Sequence, residues 1–111
     1  MSARLPTHLA VGALLRRVND GGGMAVVRAS GEAQSGAVLV LLCEGRSLRA
    51  VERMRGIDDR DVLIAAGPSD GDSAAVEDYW RLRRRRDPDL WVIELDVPDA
   101  ERFVAETMLV D

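Results

Sequence analysis

The sequence predicts an α+β domain: a mostly antiparallel sheet of about five strands with two or three helices. The predicted order is α-β-β-β-β-α-β, closed by a last segment that is helix or strand. Three observations predict it. An amphipathic helical stripe opens the chain, and β-rich runs separated by glycine-rich turns fill its middle. A second helical stretch, dense in arginine, then stops at a proline just before an aromatic strand. With 111 residues, 47% of them hydrophobic, the chain suits one core without disulfides or metals, so a single domain over 1–111 is expected.

Thr7 is placed to cap the first helix, with Pro6 just outside it. Val11, Leu14, Leu15 and Val18 recur at i, i+3, i+4 and i+7, Arg16 and Arg17 fall off that stripe, and Gly21-Gly22-Gly23 supplies the stop. Residues 24–28 and 37–43 read as strands, and the polar, glycine-containing stretch 29–36 between them reads as a hairpin loop. Val38-Leu39-Val40-Leu41-Leu42 is apolar at consecutive positions, which suits a strand covered on both faces.

Glu44-Gly45-Arg46 turns into a third strand, 47–54, where Leu48, Ala50 and Glu52 alternate with Arg49, Val51 and Arg53 and leave its buried face open. A turn at Gly56-Ile57-Asp58-Asp59 leads to a short fourth strand, 62–65, and the turn formers of 67–72 form a linker. Asp72 or Ser73 then caps a second helix that shows Val76, Tyr79, Trp80 and Arg83 on one face and ends before Pro88. Residues 90–96 form the fifth strand, with Trp91, Ile93 and Leu95 on one face. The segment 99–109 is either a helix capped by Asp99, with Phe103 and Val104 inward, or a closing strand. Sequential pairing of these strands gives an antiparallel meander with helices on one face.

All fifteen basic residues are arginine, and five fall within 81–86. The absence of lysine excludes Schiff-base and lysine general-base chemistry. The net charge of −4 argues against a generic nucleic-acid binder, but it hides an asymmetry. Residues 57–78 carry −6, and 81–89 carry +3, so the molecule is expected to be a charge dipole. Cys43 is the one cysteine, which leaves no intrachain disulfide and no multi-cysteine metal site. The start of the chain lacks a signal peptide's apolar run, and the longest apolar run, 37–43, is far shorter than the roughly twenty residues of a membrane span. A soluble, cytoplasmic protein with no membrane contact is expected.

Arg81, Arg84, Arg85 and Arg86 are the candidate anion- or partner-binding residues. Spacings of three and four put Arg81, Arg84 and Arg85 on one helix face, and guanidinium binds phosphate in bidentate fashion. The competing reading is a solvated helix end complementing the dipole, with Glu77–Arg81 as an i,i+4 pair and Arg83 held by Asp87 or Asp89. Trp80, expected beneath Arg84, is the only aromatic near that face, which weakens a base-stacking model. Asp87-Pro88-Asp89 reads as a helix stop and turn, and Trp91 as a core anchor. Two carboxylates without further ligands make a weak metal signal.

The triple glycine follows a helix and precedes a strand, the reverse of a phosphate loop. His8 has no evident nucleophile beside it among Cys43, Ser47 and Ser73, and Glu44 and Glu52 are not brought together by the sequence. No catalytic residue, cofactor or metal is therefore expected.

Two blocks carry a resemblance: 4–18, with Arg4-Leu5-Pro6-Thr7-His8-Leu9 and Leu14-Leu15-Arg16-Arg17-Val18, and Arg86-Asp87-Pro88-Asp89-Leu90-Trp91-Val92-Ile93-Glu94-Leu95. Val51-Glu52-Arg53-Met54 and Ser35-Gly36-Ala37-Val38-Leu39 fit as well. Together they resemble a family of small uncharacterised alphaproteobacterial proteins classed as a domain of unknown function, with Ala10 a departure where an aromatic is expected. The resemblance implies a single-domain cytoplasmic bacterial protein and carries no activity, cofactor or catalytic residue.

The leading expectation is thus a small non-enzymatic binding or accessory protein acting through protein contacts, as a homo-oligomer or a subunit, with the edge of strand 62–65 as one surface for pairing. The alternative is a nucleic-acid or phosphate-binding module using the arginine-rich helix end. A third reading is a carboxylate-based enzyme near 87–94.

Overall fold

Val38 to Leu42 are all buried, so the strand that carries them requires cover on each side. The computed structural model, which describes residues 5–109, supplies that cover with helices on both faces of one five-stranded sheet. The elements are α1 (Thr7–Asp20), β1 (Met24–Ala29), β2 (Val38–Glu44), β3 (Ser47–Arg55), β4 (Asp61–Ala66), α2 (Ser73–Arg86), β5 (Trp91–Asp96) and α3 (Ala100–Met108). The strand order is β1-β5-β2-β3-β4; β5 and β2 run parallel and every other neighbouring pair is antiparallel. The α+β class, the element order and the mostly antiparallel sheet are as expected, and the segment 99–109 contains a helix.

Two expectations are corrected. The stretch 29–36 is not a hairpin loop, because β5 lies between β1 and β2. The Trp91 backbone N–H donates to the Ala37 carbonyl at 2.8 Å, which seats β5 beside β2. The helices also do not share a face. α1 and α3 cover Val38, Val40, Leu42, Val51, Ile93 and Leu95. On the other face, Val76 and Trp80 of α2 cover Leu39, Leu41, Leu48, Ala50 and Val92. Strand alternation explains this: β2 is apolar on both faces and Leu90 and Val92 extend its second face onto β5, so one layer of helices would leave half of that surface wet.

The helix ends follow local rules with two departures. Asp72 caps α2, its carboxylate accepting from the N–H of Ala74 (3.0 Å) and Ala75 (3.4 Å). The Gly21-Gly22-Gly23 stop holds; Gly22 takes φ +84° and the Gly23 N–H reaches back to the Val18 carbonyl at 3.0 Å. Thr7, however, is the first helical residue rather than the cap, and Pro6 takes the cap position. The Thr7 hydroxyl instead donates to the Gly36 carbonyl at 2.8 Å, tying α1 to the segment between β1 and β2. Asp99 sits at the α3 cap position with φ +56°, and its side chain makes no capping bond. No helix among the described residues is long and apolar enough to cross a membrane.

Candidate functional site

The arginine run forms the last turns of α2, where its charge complements the helix dipole. Side-chain packing divides it. Arg83 faces the sheet and forks onto the Glu52 carboxylate with bonds of 2.7 and 3.0 Å, while a third N–H reaches the Tyr79 hydroxyl at 3.1 Å. The Glu52 carboxylate, first among the causes, holds the Arg83 guanidinium even more firmly protonated than usual. The expected Asp87 or Asp89 partner is thereby corrected: both lie beyond the helix end, whereas Glu52 on β3 lies under the α2 face that carries Tyr79 and Arg83.

Arg81 pairs with Glu77 at 3.4 Å and lies 5.2 Å from the centre of the Trp80 ring. Arg28 of β1 stands 5.3 Å from the same ring, so Trp80 lies beneath Arg28 and Arg81 rather than beneath Arg84. Arg84 donates to the Ser30 carbonyl at 2.8 Å, and its Nε is buried with no hydrogen-bond partner. Arg85 and Arg86 reach into solvent with no bonded partner among the described residues. Of the four candidates, two are thus committed to the fold and two are available.

Asp87, Pro88 and Asp89 shape the turn between α2 and β5. The Asp87 carboxylate accepts from the Asp89 N–H at 3.1 Å, and its carbonyl accepts from the Leu90 N–H at 3.1 Å. The Asp89 carbonyl receives the Glu32 N–H at 3.0 Å, and the Trp91 indole donates to the Glu32 carbonyl at 2.8 Å. Gly31 and Gly36 pass so close to the Asp89 carbonyl that a Cβ on either would collide with it. The segment between β1 and β2 is therefore a strap cinched around this turn.

A charged cluster absent from the sequence expectations joins β1, β5 and α2. Arg28 bonds both Glu77 (3.0 and 2.9 Å) and Glu94 (2.5 Å), and the Trp80 indole donates to Glu77 at 2.9 Å. Burial pushes the Glu77 carboxyl up, but the Arg28 and Trp80 bonds outweigh it and hold the pKa below the ordinary value. A carboxylate held ionised in this way serves structure better than proton transfer. Its signal in the sequence is the one charge of β1, Arg28, together with Glu94, which interrupts the apolar run of residues 90–95 in and before β5.

At the opposite end of the sheet, a cleft of about 650 Å3 opens beside the C-terminal ends of β2 and β5. Arg49 bridges Glu44 (2.7 Å) and Glu101 (2.9 Å) within it. Cys43 lines the same cleft; burial first, then Asp96, Glu94 and Glu44, push its thiol pKa up, so the reactive thiolate is disfavoured. His8 lies at the other end of β2, bonded to the Ala33 carbonyl at 3.0 Å, roughly 15 Å of strand away from the thiol. No nucleophile-base pair forms between them. No group of three His, Cys, Asp or Glu among the described residues is placed to hold a metal ion.

The two sheet edges differ. Outer strand β1 carries Arg28 and a register shift between Val27 and Ala29. Outer strand β4 is in unbroken register with β3 and has no charge, proline or bulge over 62–66. Met54 (48% exposed) and Val62 (39% exposed) face each other across this pair, and Ile57 stands fully exposed at the hairpin tip.

A model of a protein family of unknown function, DUF1491, matches residues 5–105. The chain belongs to the DUF1491 family. It is similar to the crystal structure of a DUF1491 protein from Caulobacter crescentus CB15, at 32% identity and a TM-score of 0.81, over 89% of this chain and 94% of that one. The solution structure of a DUF1491 protein from the same organism gives 31% identity and a TM-score of 0.78, over 92% and 94%. Protein Atu0922 from A. tumefaciens gives 27% identity and 0.69, over 87% and 89%. No curated protein matches the chain. The expected resemblance to an alphaproteobacterial family of unknown function is thus correct, though Arg4 of its first block lies outside the described residues; DUF1491 membership itself assigns no activity.

Proposed function

We propose that this DUF1491 protein is a small non-enzymatic binding protein of the cytoplasm that engages a protein partner by strand addition at the outer side of β4. The observation that carries this reading is the contrast between the two edges. Sheet edges in soluble proteins are ordinarily guarded by charge, proline or a bulge. β1 has two of these guards, and residues 62–66 of β4 have none. An unguarded edge offers its main chain to an added strand, and the flanking Met54 and Val62 offer apolar contact beside it. The reading requires no cofactor and no metal.

The arginine end supports a nucleic-acid role less well. Phosphate binding scales with the number of available cations, and Arg81, Arg83 and Arg84 are engaged within the chain. Arg85 and Arg86 remain as a narrow anion site at most.

The test uses a tagged wild-type chain and a Val62→Lys variant, each exposed to extract and to an untagged copy of the chain, then washed at low and high salt. Wild type is expected to retain a defined protein through the high-salt wash, and the variant to lose it. Retention that is equal in both, or nucleic acid released by salt as the sole capture, contradicts the proposal.

A further inference from the structure

We infer that the occupant of the β4 edge is a second copy of this chain, the two β4 strands pairing antiparallel about a two-fold axis. This rests on the reading of β4 as the binding edge. A two-fold contact needs a surface that complements itself. The main chain of a strand edge meets that need in antiparallel pairing, so the side chains decide.

Here they agree. With Ile64 opposite its own copy, Val62 opposes Ala66 and Leu63 opposes Ala65, a larger residue against a smaller one at each position. Every pair is apolar, and no charge enters the contact. A shift by one residue toward the tip brings Asp61 opposite Ala65, which favours the first register.

The surrounding charges point the same way. At the start of β4, Arg55 is bonded to Asp59 (3.1 Å) and Asp61 (3.3 Å), and Arg60 lies 4.0 Å from Asp58. These two arginines and three aspartates leave a net charge of −1 at this end of each copy, small enough for the apolar pairs of 62–66 to decide the contact, and raised salt is expected to strengthen the dimer rather than weaken it. The two-fold axis stands perpendicular to the sheet, which keeps α2 of both copies on one face. The exposed apolar surface of Met54 and Val62 then continues from one copy toward the other. β1 does not offer this, because Arg28 and the register shift close its second half.

Sedimentation equilibrium of the untagged chain tests the inference, with Val62→Lys on the proposed edge and Val26→Lys on the other. Wild type and Val26→Lys are expected to form dimers, and Val62→Lys to weaken the dimer at least tenfold. Because a lysine in β4 can also disturb folding, a second pair of variants reads the register directly. Cys43→Ser/Ile64→Cys is expected to oxidise to a covalently linked dimer, and Cys43→Ser/Leu63→Cys, whose opposite is Ala65, to stay without a covalent link. A wild-type monomer at all concentrations, with no link through position 64, overturns the inference. If capture of another protein still depends on Val62 in that case, the edge reading stands and only the occupant is wrong; if it does not, both fall.

Discussion

Arg83 and Glu52 join the second helix to the third strand through two parallel hydrogen bonds of 2.7 and 3.0 Å, in a pocket that leaves both side chains about one-quarter exposed or less. The most basic stretch of the chain is thereby tied to the sheet by one of its own members. A lysine cannot reproduce the fork, so Arg83→Lys is expected to cost about 1 kcal/mol and Arg83→Ala about 2 kcal/mol, since charged hydrogen bonds contribute more than neutral ones. Arg85→Ala, which removes no bonded contact, should shift stability by less than about 0.5 kcal/mol. Urea unfolding of the three variants checks this ranking.

The strap between β1 and β2 depends on the absence of a Cβ at Gly36, which would meet the Asp89 carbonyl. Gly36→Ala is expected to destabilise by about 1–3 kcal/mol, the range for overpacking a filled site. Gly12, inside α1, has only an arginine side-chain tip at 3.7 Å from an added Cβ. Gly12→Ala should therefore stabilise by roughly 0.5–1 kcal/mol through helix propensity. Paired thermal melts of the two variants separate these opposite signs.

Glu77 gives the protein an acid sensitivity of known sign. Its folded pKa lies below the unfolded value of 4.5, so its contribution is complete above pH 4.5 and is lost as pH falls through the lower folded value. Neutralising Glu77 also removes one of the two carboxylates on Arg28. Glu77→Gln is expected to be less stable than wild type at pH 7 and to show a flatter decline below pH 4.5. Denaturant midpoints measured across pH 3 to 7 provide the comparison.

The Cys43 thiol should react slowly at neutral pH, because burial and the neighbouring carboxylates raise its pKa above the usual 9.0. Alkylation by iodoacetamide at pH 7 is expected to be slower than that of a free thiol in solution. It should accelerate to the solution rate when the chain is unfolded in urea. A native rate equal to the unfolded one would show that the surroundings of Cys43 do not restrain it.

Much of the fold is legible in the sequence because it is local. The stripe Val11-Leu14-Leu15-Val18, the cap at Asp72 and the stop before Pro88 each specify an element within a few residues. The sheet order is not local. The insertion of β5 between β1 and β2 depends on Trp91 and Asp89 meeting residues 31–37, contacts separated by more than fifty positions. The apolar run Val38 to Leu42 did carry the clue that both faces are covered, which a single layer of helices contradicts. The arginine run is legible as charge but not as partnership: the spacing of Arg81, Arg84 and Arg85 puts them on one face, while Glu77 and the Ser30 carbonyl engage two of them. Arg28 and Glu94 are legible as charges within strands, but not as partners of each other and of Glu77, because the three lie on different elements.

The central claim is that the outer side of β4 is occupied in the working protein, and amide hydrogen exchange tests it most directly. Residues of β4 have one strand neighbour within the chain, as do those of β1. Pairing with a second copy should slow exchange at the outward N–H groups of residues 62–66 as concentration rises, and leave the outer amides of β1 unchanged. Fast, concentration-independent exchange along β4, with or without added extract proteins, would contradict the account.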